Sequence, residues 1–234
     1  FLAQRTRLEE RLFLQSGERY TDWIQALLQK CGILSAIVED SDETFSTDRE
    51  DWEIGTPVLD VINSLLDEIS YRSLWFDAQG NARIGPLLEP SVENIQHRYG
   101  PGRESSYALV KEAYEREDDL FDVCNVFMVQ CENPELGEMM QAVSVNDDPA
   151  SAFSVSRQGR IMAPIRLDNI ASQAALQRYA DRLRWQSMMA AETTVIDTAL
   201  NPVHQCGDIV ALEGDLAPGV YEETGWAMEL APGG

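Results

Sequence analysis

No apolar run approaches the roughly 18–20 residues that a membrane-crossing helix needs, so no helical span is expected. Basic residues are scarce, with 18 Lys+Arg against 40 Asp+Glu and a formal net charge of −22. Nucleic acid and anionic membrane surfaces both require a basic face, so neither is expected as a partner. Histidine occurs only at 97 and 204, and the four cysteines (Cys31, Cys124, Cys131, Cys206) show no CxxC spacing. That set is too sparse for a zinc site or a disulfide framework. Free, mostly buried thiols of a protein made in a reducing cytoplasm are expected instead. GxSxG, HExxH, Walker A and GxGxxG are all missing, and Cys206 two residues after His204 is a poor nucleophile–base pair, because neighbours in a turn rarely align as one. The chain is therefore read as non-enzymatic, with no catalytic residue, cofactor or metal ligand assigned. It opens Phe1-Leu2-Ala3-Gln4-Arg5, without an initiator Met or a signal-peptide pattern, so a processed or partial chain is expected.

What is present is a chain of 234 residues, enough for one large or two small domains with a proper core. The segment 168–212 carries its strongest pattern. Asp168 is placed as the N-cap of a helix over 168–190, which contains neither Gly nor Pro. Leu176, Tyr179, Ala180 and Leu183 form one apolar stripe, and Ile170, Ala171, Ala174, Ala175, Met188 and Met189 a second beside it. Two adjoining apolar faces predict a helix packed across a sheet rather than on its rim. A β-branched strand at 193–199 follows, then an Asn201-Pro202 corner, and Gly207-Asp208 opens a second strand at 209–212.

An internal repeat lies upstream. Residues 17–28 align without gaps on 55–66, pairing Gly17 with Gly55, Asp22 with Asp60, Ile24 with Ile62, and Leu27-Leu28 with Leu65-Leu66. The three apolar positions share one helix face, and each copy runs on into an apolar strand, 33–38 or 71–76. Thr56-Pro57 suits a helix start as N-cap and N1, and Gly32 suits a helix end. A turn at 77–81 leads into a hairpin strand at 82–84. Between the copies, Asp40, Asp42, Thr44, Ser46 and Asp48 are spaced like calcium ligands, but Phe45 occupies the place of the turn glycine and Asp51 that of the closing Glu. A solvated acidic segment is the reading.

Residues 89–119 are less patterned. Pro90 and Gly100-Pro101-Gly102 mark turns, 107–119 suits a helix or a charged strand, and His97 is taken as a surface residue. Residues 120–131 form a strand pairing with 139–145 across the Asn133–Gly137 connection. Asn146-Asp147-Asp148-Pro149 ends that pair, and 156–160 makes a turn.

Three sets of these residues resemble one family. The long helix, strand and N-P-x-x-x-x-G-D-h-V pattern (Asn201, Pro202, Gly207, Asp208, Val210; h apolar) resembles phage tail baseplate-hub proteins, shared with contractile injection machines. Gly55 before its helix, followed by Leu74-Trp75-Phe76-Asp77, a glycine turn and a second strand, is similar to the same proteins. So are 122–125, the Asn-Asp-Asp-Pro corner and the 157–160 turn, and together they cover about residues 10–230 in a consistent order. The resemblance implies a ring-forming protein, commonly a trimer, with small β-barrel-like domains and packed helices. It would join the tail tube to a distal tip or spike, bind other tail or baseplate proteins, reside in the virion tail and transmit no chemistry. The β-rich part that the family carries ahead of this region is expected to be absent or short, and no attached spike or wall-cleaving domain is expected after Gly234.

The expected fold class is α+β. A helix–strand lobe at 1–90 carries the repeat (17–40 and 55–78), and a β-barrel or sandwich-like lobe at 91–234 is packed by the helix 168–190. Eight acidic residues at 39–53 face one Arg49, whereas 156–184 carries Arg157, Arg160, Arg166, Arg178, Arg182 and Arg184 against Asp168 and Asp181. Arg178, Arg182 and Arg184 are the candidates for a subunit interface, with pairing inside the same chain as the alternative. A soluble acidic enzyme or ligand-binding domain, its pocket hidden from sequence, remains the alternative function.

Overall fold

The computed structural model describes residues 2–100, 109–118, 123–132, 139–149, 151–190, 192–199, 201–213 and 218–227. The turn at 101–102, the start of the strand at 120–122 and the connection 133–137 lie outside the described residues. The architecture is α+β, in two compact units. One comprises Phe1–Leu87 and Asp122–Ser187, the other Leu88–Phe121 and Met188–Gly234. The expected second lobe is divided, because the part from 122 to 187 packs into the core of the first unit.

In the first unit a short helix α1 (Leu2–Arg5) precedes α2 (Tyr20–Lys30), strand β1 (Ala36–Val38), α3 (Val58–Glu68), β2 (Trp75–Phe76) and β3 (Ala82–Ile84). Helices α2 and α3 start and end 38 residues apart, the offset of the sequence repeat. Both are entered through the same backbone bracket. Gly17 N–H donates to Phe45 O (2.8 Å) and Phe45 N–H to Glu18 O (2.9 Å), while Gly55 N–H donates to Leu8 O (2.8 Å) and Leu8 N–H to Thr56 O (2.9 Å). Both close alike too, with Ile33 N–H on Leu28 O (3.0 Å) and Tyr71 N–H on Leu66 O (2.8 Å), the bonding of a Schellman ending. Such an ending needs a left-handed residue. Gly32 supplies it in one copy (φ +78°) and Ser70 in the other (φ +60°). Thr56 does not cap α3, because its hydroxyl turns back to Glu53 O (2.8 Å) and the helix starts at Val58. Ile24, Leu28, Ile62, Leu65 and Leu66 are all fully buried. Strand β3 lies between β1, parallel, and β2, antiparallel in the expected hairpin.

The later part of this unit adds β6 (Val126–Glu132), β7 (Met139–Val145), a one-turn α4 (Val155–Gln158), β8 (Met162–Leu167) and α5 (Gln173–Ala190). Before them in the chain come β4 (His97–Tyr99) and β5 (Leu109–Asp118) of the second unit. Strand β6 pairs antiparallel with β7 as expected, and parallel with β8, which takes up residues next to the expected helix start. The expected N-cap at Asp168 is corrected. Residues 168–172 are not helical, Ile170 and Ala171 are buried there, and Ser172 Oγ accepts Ala175 N–H (3.1 Å) at the true start. Helix α5 is 18 residues long. Its Ala175, Leu176 and Ala180 enter the core with Val129, Cys131 and Ala142. It does not simply cross the sheet. Gln173 and Gln177 donate to the β7 carbonyls of Gln141 (2.9 Å) and Val143 (3.3 Å), and Ala174 is exposed.

Among its described residues the second unit holds two open sheets. Strand β10 (Ile209–Leu212) pairs parallel with β4 and antiparallel with β11 (Gly219–Glu222), and β5 pairs antiparallel with β9 (Glu192–Thr198). Segment 107–119 is thus strand where described. Of the expected β-barrel or sandwich-like lobe, no closed barrel forms among the described residues. Among the described residues the strands make small open sheets of three, three, two and three strands. No helix among them is long and apolar enough to cross a membrane.

Candidate functional site

The turn between β9 and β10 is built by the residues singled out as Asn-Pro and Gly-Asp. Asn201 is buried; its Nδ2 donates to Tyr99 Oη (2.9 Å) on β4 and its Oδ1 accepts Val203 N–H (3.1 Å). Pro202 is exposed at the corner. Gly207, at φ +92°, donates its N–H to Glu223 O (2.6 Å), and Glu223 N–H returns to Asp208 O (2.9 Å). The Asp208 carboxylate accepts Gln205 N–H (2.7 Å). Gly55 belongs to the other unit, where its carbonyl accepts Arg7 Nη1 (2.6 Å). Asn201, Gly207, Asp208 and Gly55 each bond to or through the backbone.

Both histidines of the chain meet at this corner. His97 Nε2 lies 3.3 Å from Asp208 Oδ2, and His204 Nδ1 lies 2.7 Å from Glu223 Oε1. The four side chains are each 13–16% exposed, so His97 is not the surface residue expected. The parallel pairing of β4 with β10, which sets Val210 beside His97, brings it in. The His204 ring packs on Trp226 with centroids 5.0 Å apart. Burial pushes the Glu223 carboxyl above its ordinary range, His204 opposes this and Asp208 adds to it. Sequence offered only the spacing of His204 and Asp208 as a clue, because His97 and Glu223 come from distant elements.

In the first unit, Glu68 of α3 is buried beneath α2. It accepts the Tyr20 hydroxyl (2.8 Å) and an Arg49 guanidinium nitrogen, and Arg49 also binds Asp51 through Nε (2.6 Å). Burial pushes both the Glu68 carboxyl and the Tyr20 phenol up. The oxygens spaced like calcium ligands do not converge. Asp40 accepts Thr21 Oγ1 (2.7 Å) and Arg19 (2.8 Å), Asp48 accepts Ser16 N–H (2.8 Å), and Phe45 is buried. Among the described residues no group of three or more His, Cys, Asp and Glu is arranged to hold a metal. A shallow, open depression of about 380 Å³ is lined by Gly17, Glu18, Arg19, Asp22, Trp23 and Ala26. Within it Trp23 Nε1 donates to Glu18 (2.7 Å) and Arg19 to Ser41 O (2.7 Å).

The three candidate interface arginines bond within their own chain. Arg178 pairs with Glu43 of the acidic segment (2.6 Å), Arg182 pairs with Asp67 and lies over the Tyr179 ring (4.4 Å), and Arg184 Nε donates to Ser144 Oγ (3.0 Å). Arg178 thus ties α5 to the acidic segment, Arg182 ties it to α3 and Arg184 to β7. The third set of family-like residues also comes together, through Asn125. Its Nδ2 donates to Phe153 O (3.1 Å) and Gly159 O (2.7 Å), its Oδ1 accepts Ile161 N–H (2.9 Å), and its carbonyl accepts Asn146 N–H (2.9 Å). Of the cysteines, Cys31 and Cys131 are buried, Cys124 is half-buried and Cys206 is exposed, so burial is less general than expected.

No protein-family model matches the sequence, and no curated protein matches it. Solved structures share the fold. The tail protein from Neisseria meningitidis MC58 aligns over 94% of this chain with a TM-score of 0.62 and 14% identity. The 43 kDa tail protein of prophage MuSo2 from Shewanella oneidensis aligns over 89% (TM-score 0.58, 10% identity). Prophage tail protein gp18 from Listeria monocytogenes EGD-e aligns over 94% (TM-score 0.54, 13% identity). The chain spans 60–64% of the length of these three proteins.

Proposed function

We propose that the chain is a structural component of a phage or prophage tail, of the baseplate-hub type, and that it joins the tail tube to a distal tip or spike through ring assembly. The observation that carries this reading is the fold, shared over 89–94% of the chain with three proteins that are each named as tail proteins. The hub assignment rests on the order of the three sets of family-like residues, which build a helix entry (Gly55), a sheet corner (Asn125) and the β9–β10 turn (Asn201–Asp208). A structural rather than catalytic role agrees with what these residues do, because each holds backbone. Other tail proteins, and further copies of this chain in a trimer, are the partners. The charge of −22 disfavours nucleic acid and anionic membranes.

Antibody labelling of particles from an induced lysogen tests the reading. Label at the distal end of the tail is expected, and label confined to unassembled protein would overturn it. Sedimentation of the purified chain tests the ring, for which a trimer is the expected species.

A further inference from the structure

The sheet β7-β6-β8 buries one face, on which Phe127, Val129 and Cys131 lie. Its other face carries the alternate residues. Register sets Met128 between Val143 and Pro164, and in the next row Gln130 between Gln141 and Arg166. Met128 is half-buried, whereas Val143, Pro164, Met162 (51%) and Met139 (59%) are exposed. Apolar side chains from three strands thus form one strip open to solvent. Glu132, beside Met139, is the one carboxylate in these rows. Arg166 is exposed toward one end of the strip, and Arg160 is exposed just ahead of β8 at the other. Neither has an ion pair among the described residues, although the chain has 40 acidic residues for 18 basic ones. Arg178 and Arg182, by contrast, take carboxylates of their own chain.

The same unit carries the converse surface. Segments 7–14 and 49–57 run antiparallel, bonded at Leu8 with Gly55 and Thr56 and at Leu14 with Arg49. Between those bonds Arg11 pairs with Glu50 (3.6 Å), while Glu9, Glu10 and Glu53 are exposed with no ion pair among the described residues. Phe13 and Ile54 (63%) are exposed beside them. Free cations about one apolar strip thus match free carboxylates about another, and such complementarity selects the partner and fixes its register. We propose that the open face of β7-β6-β8 in one copy receives the 9–13 and 53–54 ribbon of the next, Arg160 and Arg166 meeting Glu9, Glu10 and Glu53 around the apolar side chains. The two surfaces come from different parts of the chain, so the contact is head-to-tail, the kind that closes into a ring when the rotation allows. This contact rests on the ring reading above and supplies the two surfaces that the ring needs.

Sedimentation velocity of the full chain over a range of concentrations tests it. Arg160→Glu with Arg166→Glu sets like charges against each other and is expected to weaken association about a hundredfold. Glu9→Arg, Glu10→Arg and Glu53→Arg together are expected to weaken it as much. The chain carrying both sets restores opposite charges and is expected to regain the native species. Met162→Asp probes the apolar strip without touching an arginine and is expected to weaken association about tenfold. All six positions are exposed, so urea midpoints of the same samples are expected to stay near the native value. An oligomer that neither charge set nor Met162→Asp disturbs would overturn the contact and leave the ring standing. So would two charge sets that each dissociate the chain and do not rescue one another. A native chain that stays monomeric at every concentration would overturn the ring and the contact together.

Discussion

Arg49 and Glu68 are both 7% exposed and bonded to one another, so each charge depends on its partner. Removing one partner of a buried pair leaves the other uncompensated, and Arg49→Met is expected to cost about 3–5 kcal/mol. The cost has a definite pH dependence. Burial raises the Glu68 carboxyl and Arg49 opposes it. A carboxyl with a raised folded value contributes stability below its unfolded value and loses that stability as pH rises through the folded one. Without Arg49 the rise is larger, so the gap between variant and native urea midpoints should widen from pH 5 to pH 8. A constant gap would count against the pair. Asn125 presents a simpler case, with three side-chain hydrogen bonds to the backbone of 153–161 from a residue that is 1% exposed. Asn125→Ala strands those groups, and a loss on the order of 3 kcal/mol is expected, measurable by the same denaturation.

At the scale of elements, the repeat places Leu28 and Leu66 in equivalent, fully buried positions. Each change to Ala should cost on the order of 2–5 kcal/mol through lost methylenes and a cavity. A denaturant midpoint that hardly moves for either would remove the repeat from the core. The acidic segment between the copies spends its carboxylates on Thr21, Arg19 and Ser16, so millimolar calcium should leave the melting temperature where a chelator leaves it. The repeat was legible because both copies carry the same helix spacing and the same ending, even where Ser70 replaces the glycine. Strand β8 was not, since Pro164 removes a donor and argues against a strand unless it lies at a sheet edge, which is where it lies. The start of α5 was misplaced because Asp168, Ile170 and Ala171 fit a helical pattern whose apolar residues are buried by the core without being helical. The histidine cluster had no local signature at all. Three-residue β4 joins β10 from more than a hundred residues away, and no period in the sequence encodes that pairing.

Over the whole molecule, the three arginines weighed for a subunit interface or for pairing within the chain make contacts within it. Replacing Arg178, Arg182 and Arg184 together by Gln is expected to cost about 1–3 kcal/mol in total, most of it from Arg182, whose side chain is 11% exposed. Sedimentation in low and high salt should not change. A variant that keeps its stability but loses an oligomer would return these arginines to a subunit interface. One further feature bears on how copies meet. The sheet β7-β6-β8 has two outer strands. The side chains of Gln173 and Gln177 occupy carbonyls of one, and Pro164 interrupts the row of donors on the other. A stray strand from another chain finds no continuous ladder to zip onto, so the main chain of this sheet cannot serve as general-purpose adhesive. Where many copies crowd together during construction, the choice of neighbour passes to side-chain chemistry.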